Sequence, residues 1–171
     1  MISEKMQEGL NGQLNFEVYS AYIYLSMSAY LESINMVGAA HWMQMQAKEE
    51  LFHNLRFFDY INDRDGRVLL DAVPQPQQEW ESILAVFESA LEHEKIVTSK
   101  ICDLIDLAQS EHDHVTNSML QWFITEQIEE ESNAKAIIDK LRMAGDNINA
   151  LFMIDAELAQ RVDTTANAAA Q

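Results

Sequence analysis

An all-helical fold, a four-helix bundle with one long crossover and a short fifth helix, is what this sequence predicts. Three observations carry the expectation: apolar residues recur at intervals of three and four almost throughout, only two Pro and five Gly interrupt them, and one stretch without helical period falls in the middle of the chain. With 171 residues, one domain with a full-sized core is the natural division.

Ser3 is placed to N-cap a first helix, with Glu4 in its first turn, and the pattern continues to about Ser33. Its seam reads Leu10, Leu14, Glu17, Ala21, Tyr24, Ser28, Leu31, so an acid stands in a core position. A second helix is expected from about Val37 to Arg64, stopped by Asp65-Gly66, with the seam Met43, Gln46, Glu50, His53, Phe57, Tyr60. Residues 65–79 carry Pro74 and Pro76. Extended at ~3.3 Å per residue, they reach about 50 Å, enough to run the length of a helix of about 42 Å and leave helices two and three parallel.

The third helix, expected from about Gln78 to Ser110, has the seam Trp80, Leu84, Phe87, Leu91, Glu94, Thr98, Ile101, Ile105, Ala108. After the turn at Glu111-His112-Asp113-His114, with Asp113 as N-cap, a fourth helix runs to Ala144-Gly145 with the seam Thr116, Leu120, Phe123, Gln127, Glu130, Ala134, Ile137, Leu141. An amphipathic segment from about Asp146 to Arg161 follows. The domain is thus expected over 1–161, with 162–171 as a flexible C-terminal tail.

The formal charge of −17 and a pI near 4.4 argue against nucleic acid or an anionic membrane surface as partner and leave cations as the natural ones. A hydrophobic content of 48% with three Trp, five Tyr and seven Phe assigns that acidity to a folded protein. The single Cys102 excludes an internal disulfide or a multi-cysteine metal site, and its helical setting reads as a packed, inert thiol. The first residues show no signal-peptide pattern and no apolar run is of spanning length, so a soluble, cytoplasmic protein is expected.

Glu50 and His53, three apart, put oxygen and nitrogen donors on one helix face one turn apart, a metal-ligand spacing. Glu111-x-x-His114 has the same spacing but falls in a turn, where solvated polar residues are the simpler account. Level decides between them. Glu17 lies 18 residues before the first turn near 35 and His53 lies 18 after it, while Glu94 and Glu130 stand equally far from the turn at 112. Glu17, Glu50, His53, Glu94, Gln127 and Glu130 therefore converge on the middle of one bundle. Ionised carboxylates there repel by roughly 4 kcal/mol per pair at 4 Å and an effective dielectric of 20, on top of their desolvation. Protons could neutralise them; two divalent cations would carry +4 against −4. Oxygen-rich ligands with one imidazole suit iron or manganese rather than a closed zinc site.

The segments Asn15-Phe16-Glu17-Val18-Tyr19-Ser20, Glu49-Glu50-x-x-His53, His93-Glu94 and Gln121-Trp122-x-x-x-Glu126-Gln127-x-Glu129-Glu130-Glu131 resemble those of the ferritin-like dimetal carboxylate proteins, and most closely the bacterial non-haem ferritins. The resemblance covers essentially the whole chain. It implies a ferroxidase centre that oxidises two Fe(II) with dioxygen or hydrogen peroxide and passes ferric ions into a shell of twenty-four subunits. On that mapping Glu17 and His53 hold the first iron, Glu50 bridges, Glu94 and Glu130 hold the second, and Gln127 lies beside it. A third iron site from Glu49, Glu126 and Glu129 with Glu130 is also implied, as are aromatic neighbours Tyr24 and Trp122. From the sequence alone, Tyr24 and Trp122 are more often core residues than redox partners. Gln127-x-x-Glu130 stands where bacterioferritins repeat Glu-x-x-His, and Leu51 where they place a haem-ligating Met, so no haem is expected. Asn117 and Leu120 fall near the positions of the acidic three-fold channel of animal ferritins, and neither is acidic. A dimetal oxygenase or peroxidase on the same bundle, or an acidic helical scaffold without metal, are the alternative functions.

Overall fold

Each helix begins where a side chain satisfies its free N–H groups. In a computed structural model describing residues 2–163 and 165, five helices follow one another: α1 (Glu4–Ser33), α2 (Val37–Asp63), α3 (Ile83–Ser110), α4 (His114–Ala144) and α5 (Ile148–Leu158). Ser3 Oγ accepts from Met6 N at 3.0 Å and Asp113 Oδ1 accepts from Thr116 N at 3.0 Å, so both expected caps are present. Two starts differ from expectation. Helix α3 begins at Ile83, because Ser82 is its cap, accepting from Ala85 N at 3.1 Å. Trp80 therefore lies before the helix rather than on its seam, yet it is buried, with Nε1 donating to Ser89 Oγ at 3.1 Å. Helix α5 is also shorter than expected, starting after Asn147, whose side chain accepts from Asn149 N and Ala150 N.

Helix α2 has no cap from its own sequence, since Met36 offers none. Asp155 of α5 supplies it, accepting from Gly38 N at 3.1 Å and Ala39 N at 2.8 Å. The approach is close enough that a Cβ on Gly38 would sit 1.8 Å from the Asp155 carbonyl oxygen, so only glycine fits there. An Asp155→Ala variant should lose the cap and the anionic charge at the α2 N-terminus, costing about 1–2 kcal/mol. Thermal unfolding checks it; a variant as stable as the parent would mean that Gly38 packing alone docks α5.

At the end of α2 the left-handed position is taken by Asp65 (φ 57°), and Gly66 is not in that region; α4 ends at Ala144-Gly145, as expected, with Gly145 at positive φ (51°) but with ψ −133°, outside the left-handed helical region. The crossover is gripped by α1. Gln7 Oε1 accepts from Arg67 N at 2.7 Å, Asn11 Oδ1 from Leu69 N at 2.7 Å and Asn15 Oδ1 from Asp71 N at 2.9 Å. The register follows from geometry, because four residues of helix rise about 6 Å and two residues of extended chain about 6.6 Å. Three amides on one helix face thus read alternate residues of the strap.

Ser3 Oγ of α1 donates to Glu111 at the end of α3 (2.6 Å), and Tyr24 meets Glu94 in mid-helix, so α1 runs antiparallel to α3 as it does to α2. Helices α2 and α3 are therefore parallel, as the crossover length required. Two apolar clusters fill the bundle, one around Leu31, Met43, Phe87 and Leu141, the other around Leu10, Phe57, Ile101 and Phe123. A polar layer separates them. Cys102 is exposed on α3, not packed as the pattern suggested: it follows Ile101, and one residue along a helix turns about 100° off the buried seam. No helix among the described residues is long and apolar enough to cross a membrane. Of the tail expected at 162–171, residues 164 and 166–171 lie outside the described ones.

Candidate metal centre

The polar layer consists of Glu17 from α1, Gln46, Glu50 and His53 from α2, Glu94 from α3, and Gln127 and Glu130 from α4, none more than 6% exposed. Glu17, Glu50 and His53 each bring one ligand atom within 4.8 Å of the others. Glu94 and Glu130 lie near enough to Glu50 to act on its charge. Gln46 Nε2 donates to Glu130 Oε2 at 2.8 Å and to Glu50 Oε1 at 3.3 Å, and Gln127 Nε2 donates to Glu94 Oε2 at 2.9 Å. Gln13 Nε2 donates to Glu17 Oε1 at 2.7 Å. The Tyr24 hydroxyl donates to Glu94 Oε1.

The amide donors leave acceptors over. Glu17 Oε2, Glu50 Oε2 and Gln46 Oε1 are buried and receive no N–H or O–H hydrogen bond. Buried carboxylate oxygens without donors must take a proton or a cation. Without a metal the balance goes to protons: burial pushes the Glu17, Glu50 and Glu94 carboxyls above their ordinary range, and burial together with Glu94 raises Glu130 to about 8. Glu50 adds to the rise at Glu17, and Glu94 and Glu130 add to that at Glu50. Burial, with Glu94 beside it, likewise holds the Tyr24 phenol protonated.

Aromatic rings close the layer. Trp122 and Phe123 meet the His53 ring edge-on at 5.5 and 5.8 Å, and Arg56 stacks over Trp122 at 3.9 Å. On the opposite side His93 hydrogen-bonds Ser20 Oγ at 2.7 Å and stacks on Phe16, and burial lowers its pKa to about 4, which keeps it neutral.

Glu49, Glu126 and Glu129 stand one position before Glu50, Gln127 and Glu130, which turns them about 100° off the seam. They line an open pocket of about 450 Å³, with Glu130 at its inner wall and Arg161 on its rim. Glu130 thus borders both the buried layer and the pocket.

A sequence profile described as the ferritin-like domain matches residues 7–144, most of the chain. This chain belongs to the ferritin family. Among curated relatives, the bacterial non-heme ferritin of Staphylococcus saprophyticus is 41% identical over 161 residues, covering 94% of this chain and 96% of that one. The bacterial non-heme ferritin of Bacteroides fragilis is 42% identical, covering 94% and 100%. Among solved structures, the open-pore ferritin of the hyperthermophilic archaeon Archaeoglobus fulgidus superposes with a TM-score of 0.94 at 48% identity, covering 95% of this chain and 99% of that one.

In this ferritin chain the donor set fits a hard or borderline cation: four carboxylates, two carboxamides and one imidazole, with unsatisfied oxygens among them. Gln13 and Gln46 were not singled out from the sequence as members of the site. Each stands four residues before a buried glutamate, Glu17 or Glu50, and each amide holds that carboxylate by one oxygen and leaves the other free. A glutamine one turn ahead of a seam glutamate is the signal that would have found them.

Proposed function

We propose that this ferritin chain is an iron store with ferroxidase activity. Glu17 and His53 hold one Fe(II), Glu50 bridges, and Glu94 and Glu130 hold the second with Gln127 beside it. Two Fe(II) give up two electrons in all; dioxygen takes these and two protons to become hydrogen peroxide, or a peroxide takes them with two protons to become water. Iron is the substrate, and no haem is involved. The observation that carries the reading is the pair of buried, donor-free oxygens on Glu17 and Glu50, beside His53, in a chain of this family.

Several residues act without ligating. Gln46 and Gln13 orient the carboxylates, and Tyr24 fixes Glu94 by its hydroxyl. Glu49, Glu126 and Glu129 with Glu130 form a third, wetter iron site on the way out of the centre. The oxygenase or peroxidase alternative needs room for an organic substrate at the metal level, where Trp122 and Phe123 instead pack against His53. The functional unit is a cytoplasmic shell of twenty-four chains, each of 19.6 kDa, with ferric mineral inside.

Light scattering before and after aerobic Fe(II) addition tests the whole reading. The expected result is one large particle of unchanged outer size that gains mass as iron is added. A monomer or dimer giving turbid ferric precipitate would overturn it.

A further inference from the structure

The accessory pocket already holds a cation supplied by the chain itself. Arg161 lies just past the end of α5, and its guanidinium pairs with Glu49 through Nη2 with both side chains about 15% exposed. The group is anchored from several sides. Its guanidinium stacks on the Trp42 ring at 4.1 Å, Nη1 reaches the Trp42 carbonyl oxygen at 3.4 Å, and its own backbone carbonyl accepts from His41 Nε2 at 2.8 Å. Two residues on, Asp163 pairs with Lys48 at 3.2 Å. The segment 159–163 therefore docks along α2 and sets one positive charge on the rim of a pocket walled by Glu49, Glu126, Glu129 and Glu130.

We infer that Arg161 is a resident counter-ion of this pocket, which a divalent cation entering it displaces from Glu49, releasing segment 159–163 from α2. The inference rests on the accessory-site reading given above and adds a competitor to it. The guanidinium reaches Glu49 Oε2 through Nη2 alone, and a divalent cation drawn to the same carboxylate repels that positive charge at close range. Filling the pocket must then cost the ion pair. Two consequences follow: the third ion binds more weakly than the acids alone would allow, and its binding is coupled to the conformation of the segment. Because Glu130 belongs both to the central layer and to the pocket wall, the segment also responds to iron leaving the centre.

The test uses the assembled, iron-free protein under anaerobic conditions, with Zn(II) as a cation that is not oxidised. Calorimetry counts bound ions per chain, and hydrogen exchange follows the backbone amides of 159–163. The parent should bind a third equivalent weakly, with exchange in 159–163 rising as that equivalent binds. Arg161→Gln should bind the third ion roughly tenfold more tightly and show fast exchange before any metal is added. Arg161→Lys, which keeps the charge without the fork, should fall between. A third ion bound with equal affinity by parent and Arg161→Gln, with exchange unaltered by metal, overturns the inference and leaves the accessory site standing. No third ion in the parent or in Arg161→Gln overturns both.

Discussion

Replacing Glu50 or His53 with alanine should remove the fast phase of the proposed Fe(II) oxidation and leave the bundle folded. Glu50 clusters with Glu17 and His53 and is also tied through the Gln46 amide to Glu130. In the proposed two-iron reading its loss would separate the two ions, so that a two-electron step would become two unassisted single-electron ones. His53 is the only imidazole in the layer, and without it Glu17 and Glu50 are left to hold an ion alone. Loss of a mere orienting partner typically costs 10–100-fold in metal affinity or activity. Loss of a ligand should cost more, about a hundredfold or above in rate at two Fe(II) per chain. Folding should survive because Glu50 is a buried acid that desolvation and its acidic neighbours already force the metal-free protein to keep protonated. Stopped-flow oxidation with circular dichroism reads both effects. Parent-like kinetics in either variant would place the chemistry outside the layer. Gln46→Leu makes the graded comparison, slower than parent and faster than Glu50→Ala.

The sequence carried the bundle well because its information is local. Period and caps at Ser3 and Asp113 set most of the helices, and equal spacing of Glu17, His53, Glu94 and Glu130 from two turns put them at one height. What stayed hidden depends on partners distant in the chain. Met36 offers no cap, and nothing near α2 reveals that Asp155 will provide one. Trp80 looks like a seam residue because it is spaced like one, and only Ser82 taking the cap ends the helix short of it. Gln7, Asn11 and Asn15 look like ordinary polar helix residues until the strap 67–71 lies across them. Arg161 reads as the last residue of an amphipathic helix, yet its side chain reaches the acids of α2.

The metal-free protein should lose stability as pH rises from about 6 to 9, opposite to what paired surface acids produce. Glu17, Glu50, Glu94 and Glu130 all have folded-state pKa values raised by burial, Glu130 to about 8. An acid whose pKa is raised on folding binds more protons folded than unfolded across the interval between the two values. Stability therefore falls with pH there, from near the unfolded pKa of about 4.3 up through the folded one. Above pH 6 surface carboxylates are already ionised in both states, and the opposing rise from His93, whose pKa burial lowers to about 4, levels off once pH passes its unfolded pKa of about 6.5. Each tenfold difference in proton affinity between the folded and unfolded chain is worth about 1.4 kcal/mol, so Glu130 alone implies a loss of a few kcal/mol by pH 9. Bound metal should flatten or reverse the trend, since ligation replaces the protons and strengthens as the carboxylates ionise. Scanning calorimetry of chelator-treated protein between pH 6 and 9 gives the slope, and Glu130→Gln should reduce it by removing one titrating group. A flat metal-free curve, or the same slope in Glu130→Gln as in the parent, would mean that the four carboxyls are balanced by something other than protons.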